Sequence, residues 1–176
     1  CPRALIEEVL AKTGRASQRE RLLPAPAVVY YGMALALWRE APLEEVLRVV
    51  CEGLHWLGRS KQAGVQASKS AISQARTRLG ADVMRQLAER VLRPVAPQGM
   101  AGAWYRGLRV MALDGSGMDV ADEKANAQFF GYPSASRGAS AFPQARLLGL
   151  VECGTHVVTA AEIGPYGDSE QAMAAK

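Results

Sequence analysis

The chain reads as an α+β protein in two parts, on three observations. Its first hundred residues carry apolar side chains at helical spacing between proline, serine and glycine stops. From residue 108 onward the apolar runs shorten to strand length, and a proline- and glycine-rich stretch, residues 94–99, lies between the two parts. Charge divides the same way: residues 1–100 carry fifteen Lys or Arg against nine Asp or Glu, and residues 101–176 carry six against eight. A basic front suited to a polyanion therefore precedes a rear that gathers carboxylates.

The 176 residues suffice for one medium domain or two small ones, and 49% hydrophobic content supports a packed core. Residues 2–10 place Leu5, Ile6, Val9 and Leu10 on one face with Glu7 and Glu8 opposite, which predicts an amphipathic helix. Residues 12–21 are polar and basic, with Gly14 breaking the pattern. Pro24 and Pro26 introduce an apolar helix over residues 27–38, and Pro42 introduces another over 43–54. Trp38 and Trp56 are core or interface residues by default. The apolar run 25–38 has fourteen residues, short of the roughly 20 that a spanning helix needs, so it is a core helix and no membrane partner is expected.

Residues 57–93 hold eight Lys or Arg and two acids, Asp82 and Glu89. Within them Ser68 is a cap signal, Ile72, Ala75 and Leu79 form an apolar line, and Gly80 is a stop, which predicts a short helix. Its polar side chains Lys69, Ser73, Gln74, Arg76 and Arg78 are the candidate DNA-binding residues. Arg and Lys meet phosphates or guanine edges and Gln pairs with adenine; a merely solvated face is the plain alternative. With residues 54–61 as a preceding helix and 62–67 as the turn, the arrangement is helix-turn-helix-like. Residues 82–93 continue as a helix with Val83, Leu87, Val91 and Leu92 inward. The expected domains are 1–98 and 99–176.

The rear part is organised around residues 107–117. Residues 108–113 are short and apolar between glycines and read as a strand buried on both faces, with Asp114 where it stops. A carboxylate there is held by a stiff scaffold while its oxygens reach water, a metal ion or a substrate. Asp-Gly is also a turn pair, so a structural turn role stands beside the catalytic one. Residues 117–121 read as a second strand, making a hairpin across residues 114–117. A short helix over 122–130 and a Gly/Ser/Pro loop over 132–140 follow. Residues 145–153 and 156–163 read as an antiparallel hairpin about Gly154 and Thr155, and a helix opens near Asp168. Asp119, Asp122, Glu152 and Glu162 are read as turn, cap and surface acids. His55 and His156 lack ligand-spaced neighbours and are structural. Cys1, Cys51 and Cys153 have neither zinc nor disulfide spacing, which fits a reducing cytoplasm.

Several blocks in order carry a resemblance: Ser-Ala-Ile-Ser-Gln-Ala-Arg-Thr-Arg-Leu-Gly at 70–80, Trp-Tyr-Arg-Gly-Leu-Arg at 104–109, Leu-Asp-Gly-Ser at 113–116, Phe-Gly at 130–131, Phe-Pro-Gln-Ala-Arg at 142–146 and Val-Glu-Cys-Gly-Thr-His at 151–156. Together they resemble an insertion element 4 family transposase. The resemblance implies an N-terminal helical domain followed by an incomplete RNase H-like domain with a mixed β-sheet. It implies DNA strand cleavage and transfer by a DDE triad that holds two divalent ions, usually Mg2+. Asp114 matches the first acid; the second and third of the family fall beyond residue 176. The partner implied is double-stranded DNA at transposon ends, with self-association and without a small-molecule substrate. A start without methionine and an end inside a helix give the expectation of a fragment, inactive alone. Two alternatives stay open: a DNA-binding regulator without catalysis, and a phosphohydrolase, whose usual second Asp two residues on is here Ser116.

Overall fold

The computed structural model describes residues 1–19, 21–56, 67–135 and 138–175. The chain divides into two compact units, Cys1–Val91 and Leu92–Lys176.

The first unit is helical: α1 (Arg3–Lys12), α2 (Ala25–Leu37), α3 (Leu43–Trp56), α4 (Lys69–Leu79) and α5 (Ala81–Val91). Pro24 caps α2 from an extended conformation and Pro26 sits in its first turn, where a missing N–H costs nothing. Ile6, Val9 and Leu10 of α1, Val46 and Leu47 of α3, Ile72, Ala75 and Leu79 of α4, and Val83 and Leu87 of α5 close one core. The uniformly apolar α2 packs against α1, α3 and α4 and buries residues on several sides, among them Val28, Val29, Tyr31 and Ala34. Each fully buried Leu, Ile or Val in such a core contributes about 1.5–3 kcal/mol. Arg90 of α5 reaches Glu8 of α1 at 2.6 Å.

Trp38, read as a core or interface residue, and Val91, read as inward-facing, lie outside it. Trp38 is 45% exposed because α2 ends there, the backbone leaving the helical region at ψ 62°. Val91 is 43% exposed as the last residue of α5 and of its unit. The expected helix-turn-helix companion over 54–67 falls largely outside the described residues; Leu54, His55 and Trp56 continue α3.

The second unit holds a three-stranded sheet, β3 (Met111–Asp119), β6 (Gln144–Glu152) and β7 (Val157–Pro165), in the order β3-β6-β7 with both pairings antiparallel. Residues 120–143 and the turn 153–156 each return the chain beside the end of the strand just finished. The parallel neighbour that a mixed sheet requires, which takes a crossover connection, is absent among the described strands. Two minor hairpins, β1 (Trp104–Tyr105) with β2 (Leu108–Arg109) and β4 (Ser134–Ala135) with β5 (Gly138–Ala139), and the helices α6 (Lys124–Phe130) and α7 (Glu170–Ala174) complete it.

The β1–β2 turn is Arg106-Gly107 with φ of 48° and 80°, the left-handed pair of a type I′ turn. The expected strand from residue 108 is thus divided: Leu108 and Arg109 fold back on Trp104 and Tyr105, and the sheet strand begins at Met111. Gly154 holds the β6–β7 turn at φ +82°, where a Cβ would lie 2.8 Å from the Ala103 nitrogen and 2.9 Å from the Gly102 carbonyl carbon. Gly154→Ala is therefore expected to destabilise the protein by more than about 1 kcal/mol, read as a lowered urea midpoint at unchanged m-value.

Candidate functional site

Asp114 lies inside β3, paired with Gly149, and β3 runs unbroken from Met111 to Asp119. No hairpin forms across residues 114–117, which corrects both the expected strand end and the turn reading of Asp-Gly. The strand is also not buried on both faces: Leu113 is 54% exposed and Asp114 is exposed. The reason is placement, since β3 is an outer strand of the described sheet and β6 takes the middle.

Strand alternation and register put Asp114 on one face with Ala112, Ser116, Gly149 and Ala161. Its cross-strand neighbour carries no side chain, so the carboxylate stands over open backbone. Among the described residues no side-chain hydrogen bond or ion pair engages it. The opposite face is where α7 packs: Glu170 occupies the space over Gly115, and Met173 is buried near Gly164.

The other acids of this unit do not join Asp114. Asp119 sits five residues on, hence on the other face, and accepts from Gln144 at 2.9 Å. Asp122 accepts from the Tyr132 hydroxyl at 2.6 Å. Glu162 pairs with Leu148, again on the far face. Among the described residues no three His, Cys, Asp or Glu side chains are placed to hold a metal ion, so Asp114 can supply one ligand but not a site.

Glu152, expected to be a surface acid, is fully buried at 0% exposure. Its Oε2 accepts from the Val95 and Ala96 backbone N–H at 3.1 and 2.9 Å and from the Thr155 hydroxyl at 2.6 Å, and its Oε1 accepts from Arg109. Arg109 also donates to the Ala96 carbonyl at 3.3 Å and stacks over the Trp104 ring at 4.5 Å. One carboxylate thus ties the 94–99 segment, the β1–β2 hairpin and the end of β6 together. Burial pushes the Glu152 carboxyl up, but the hydrogen bonds from Thr155, Val95, Ala96 and Arg109 outweigh it and hold the group below the ordinary glutamate value. The signal for this pair was a lone acid and a lone arginine, each interrupting an apolar strand.

In the first unit α4 forms as its sequence predicts. Ser68 Oγ accepts from the Ala71 N–H at 3.3 Å, Ile72, Ala75 and Leu79 are buried, and Gly80 ends the helix at φ +75°. The five candidate side chains do not form one group. Lys69, Ser73 and Arg76 follow one row, at i, i+4 and i+7, while Gln74 and Arg78 follow the row on the opposite flank. The first row lies toward α3, with Lys69 Nζ 4.0 Å from Glu44. Tyr31 reports the same side: burial pushes its phenol up, Arg76 opposes this and Glu44 adds to it. The second row borders a cleft beneath residues 14–18 and 21–23.

The family profile described as insertion element 4 transposase N-terminal matches residues 1–89, just over half of the chain. The chain is 26% identical over 175 residues to the putative transposase InsZ of Escherichia coli (strain K12), covering 98% of this chain and 55% of that protein. It is 27% identical over 173 residues to the transposase InsG for insertion sequence element IS4 of the same organism, covering 97% and 37%. No solved structure matches. The class is that of the transposases, and the chain belongs to the insertion element 4 transposase family. It spans about half or less of the length of these relatives. No described helix is long and apolar enough to cross a membrane.

Proposed function

We propose that the chain forms the front part of a DNA transposase, with a helical unit that engages transposon-end duplex and a sheet that opens an RNase H-like DDE domain. The observation that carries this reading is Asp114: a carboxylate that no described side chain engages, on the open face of a stiff sheet and facing a glycine, in a chain of this family. Such a group is placed to act as one ligand of a divalent-ion site, with Mg2+ the ion suited to oxygen donors. The ions would polarise the scissile phosphate once two further carboxylates meet Asp114. Lys69, Ser73, Gln74, Arg76 and Arg78 supply the duplex contacts. Self-association follows from the need to hold two transposon ends.

Two measurements test this. The 176-residue chain is expected to bind duplex DNA with affinity falling steeply with salt, and replacing Arg76 and Arg78 together is expected to reduce the log-log slope by about two. An unchanged slope removes α4 from the interface. The chain alone is expected to leave supercoiled plasmid intact in magnesium buffer, because its described residues assemble no metal site. Magnesium-dependent nicking would show that Asp114 does not depend on later carboxylates.

A further inference from the structure

We infer that the cleft between α4 and residues 14–18 and 21–23 is a seat for a DNA backbone phosphate, formed by Arg21 and Arg78 with Gln74 at its rim. The inference rests on the reading of α4 as a duplex contact and adds a second wall to it from outside that helix.

Two adjoining hollows of about 230 Å³ and 250 Å³ share Arg21, Leu23 and Arg78. Each is several times the ~30 Å³ that a water molecule occupies in the liquid. Their floor is apolar, from Leu23, Val28, Ala71 and Ala75, and their described lining includes arginines but no acid. Arg21, Arg78 and Gln74 are exposed, and among the described residues neither arginine has a carboxylate partner. By contrast Arg3, Arg48, Arg85, Arg90 and Arg109 are each paired.

The wall facing α4 is pinned. The Arg15 and Ala16 N–H groups donate to the Leu10 carbonyl at 2.8 and 3.1 Å, and Ser17 Oγ accepts from the Ala25 N–H at 2.9 Å. The Arg15 guanidinium crosses to donate to the Arg78 carbonyl at 3.0 Å, and lies 3.8 Å from where a Cβ at Gly80 would stand. Arg15 has an acid nearby: Asp82 is held low chiefly by its hydrogen bond from Arg85, then by Gln86, with the charge of Arg15 adding to this. Arg15 therefore serves as the tie across the cleft, and the charge that no described acid pairs belongs to Arg21 and Arg78. Two guanidiniums that no described acid pairs, above an apolar floor and with Gln74 at the rim, suit a phosphodiester better than a small apolar ligand.

The test uses the full chain and a fluorescein-labelled mixed-sequence duplex of roughly 20 base pairs, followed by anisotropy across a salt series. Arg21→Ala is expected to reduce the log-log salt slope by about one, and Arg21→Ala with Arg78→Ala by about two, weakening different sequences alike. Thermal melts of the variants should match the parent. If Arg76→Ala flattens the slope while Arg21→Ala does not, the cleft is overturned and the α4 reading survives. Absence of duplex binding by the parent chain overturns both. Poly-glutamate of equal charge displacing the probe as well as unlabelled duplex would assign the cleft to an acidic protein segment and overturn the DNA assignment.

Discussion

Glu152→Gln is expected to lower the melting midpoint of the second unit by about 10 °C or more, the largest stability effect of any single amide-for-acid change in the chain. The two groups have the same shape, so no cavity is created. What changes is donor and acceptor count. Three donors converge on Oε2 and the Arg109 guanidinium meets Oε1. An amide can offer its one oxygen to the first set, which turns its N–H groups toward Arg109, donor against donor, in a fully buried place. Arg109→Met combined with Glu152→Gln should cost less than the sum of the two single changes, because the mismatch is gone. A midpoint shift within about 2 °C for Glu152→Gln would remove the clamp from the account.

The same carboxylate sets an acid dependence. The folded-state value of Glu152 lies below its unfolded value, so its contribution is fully present above the ordinary glutamate range and is lost as pH falls through the lower folded value. Wild-type stability should decline over that window. In Glu152→Gln the decline should be shallower, as followed by circular dichroism melts from neutral to acid pH.

Asp114→Asn, in a transposase of the relatives' length that carries this chain, is expected to reduce strand cleavage by at least about a thousandfold while duplex affinity stays within about twofold. The neutral amide keeps the size of the side chain and removes the charge that a divalent ion requires. Since Asp114 is exposed and bonds to no described side chain, the change should leave the melting midpoint unaltered. That separates a chemical role from a structural one: cleavage lost at unchanged stability is the expected pattern. Cleavage that survives removes Asp114 from the chemistry.

The parts of this molecule that depend on neighbours a few residues away were legible beforehand. The bounds of α4, its buried line and both of its stops follow from Ser68, Ile72, Ala75, Leu79 and Gly80, since capping and helical period act within about one turn. The β6–β7 hairpin follows likewise from two β-rich runs around Gly154. The β1–β2 turn was missed because Arg-Gly is a weaker type I′ signal than Asn-Gly. The unbroken β3 was missed because Asp-Gly-Ser-Gly looks like a turn, although pairing with all nine residues of β6 overrides that local preference.

By itself the sequence determined the helical front, the hairpin behind it, the family, and Asp114 as the carboxylate to examine. Only the tertiary structure decided that Glu152 is buried, that Asp114 stands mid-strand on an open face, and that Arg76 and Arg78 look out from opposite flanks of one helix. The difference is one of range. Period and caps are local, whereas Glu152 is held by Val95 and Arg109, 57 and 43 residues away, and the face that a strand or helix leaves open depends on what packs against its other side.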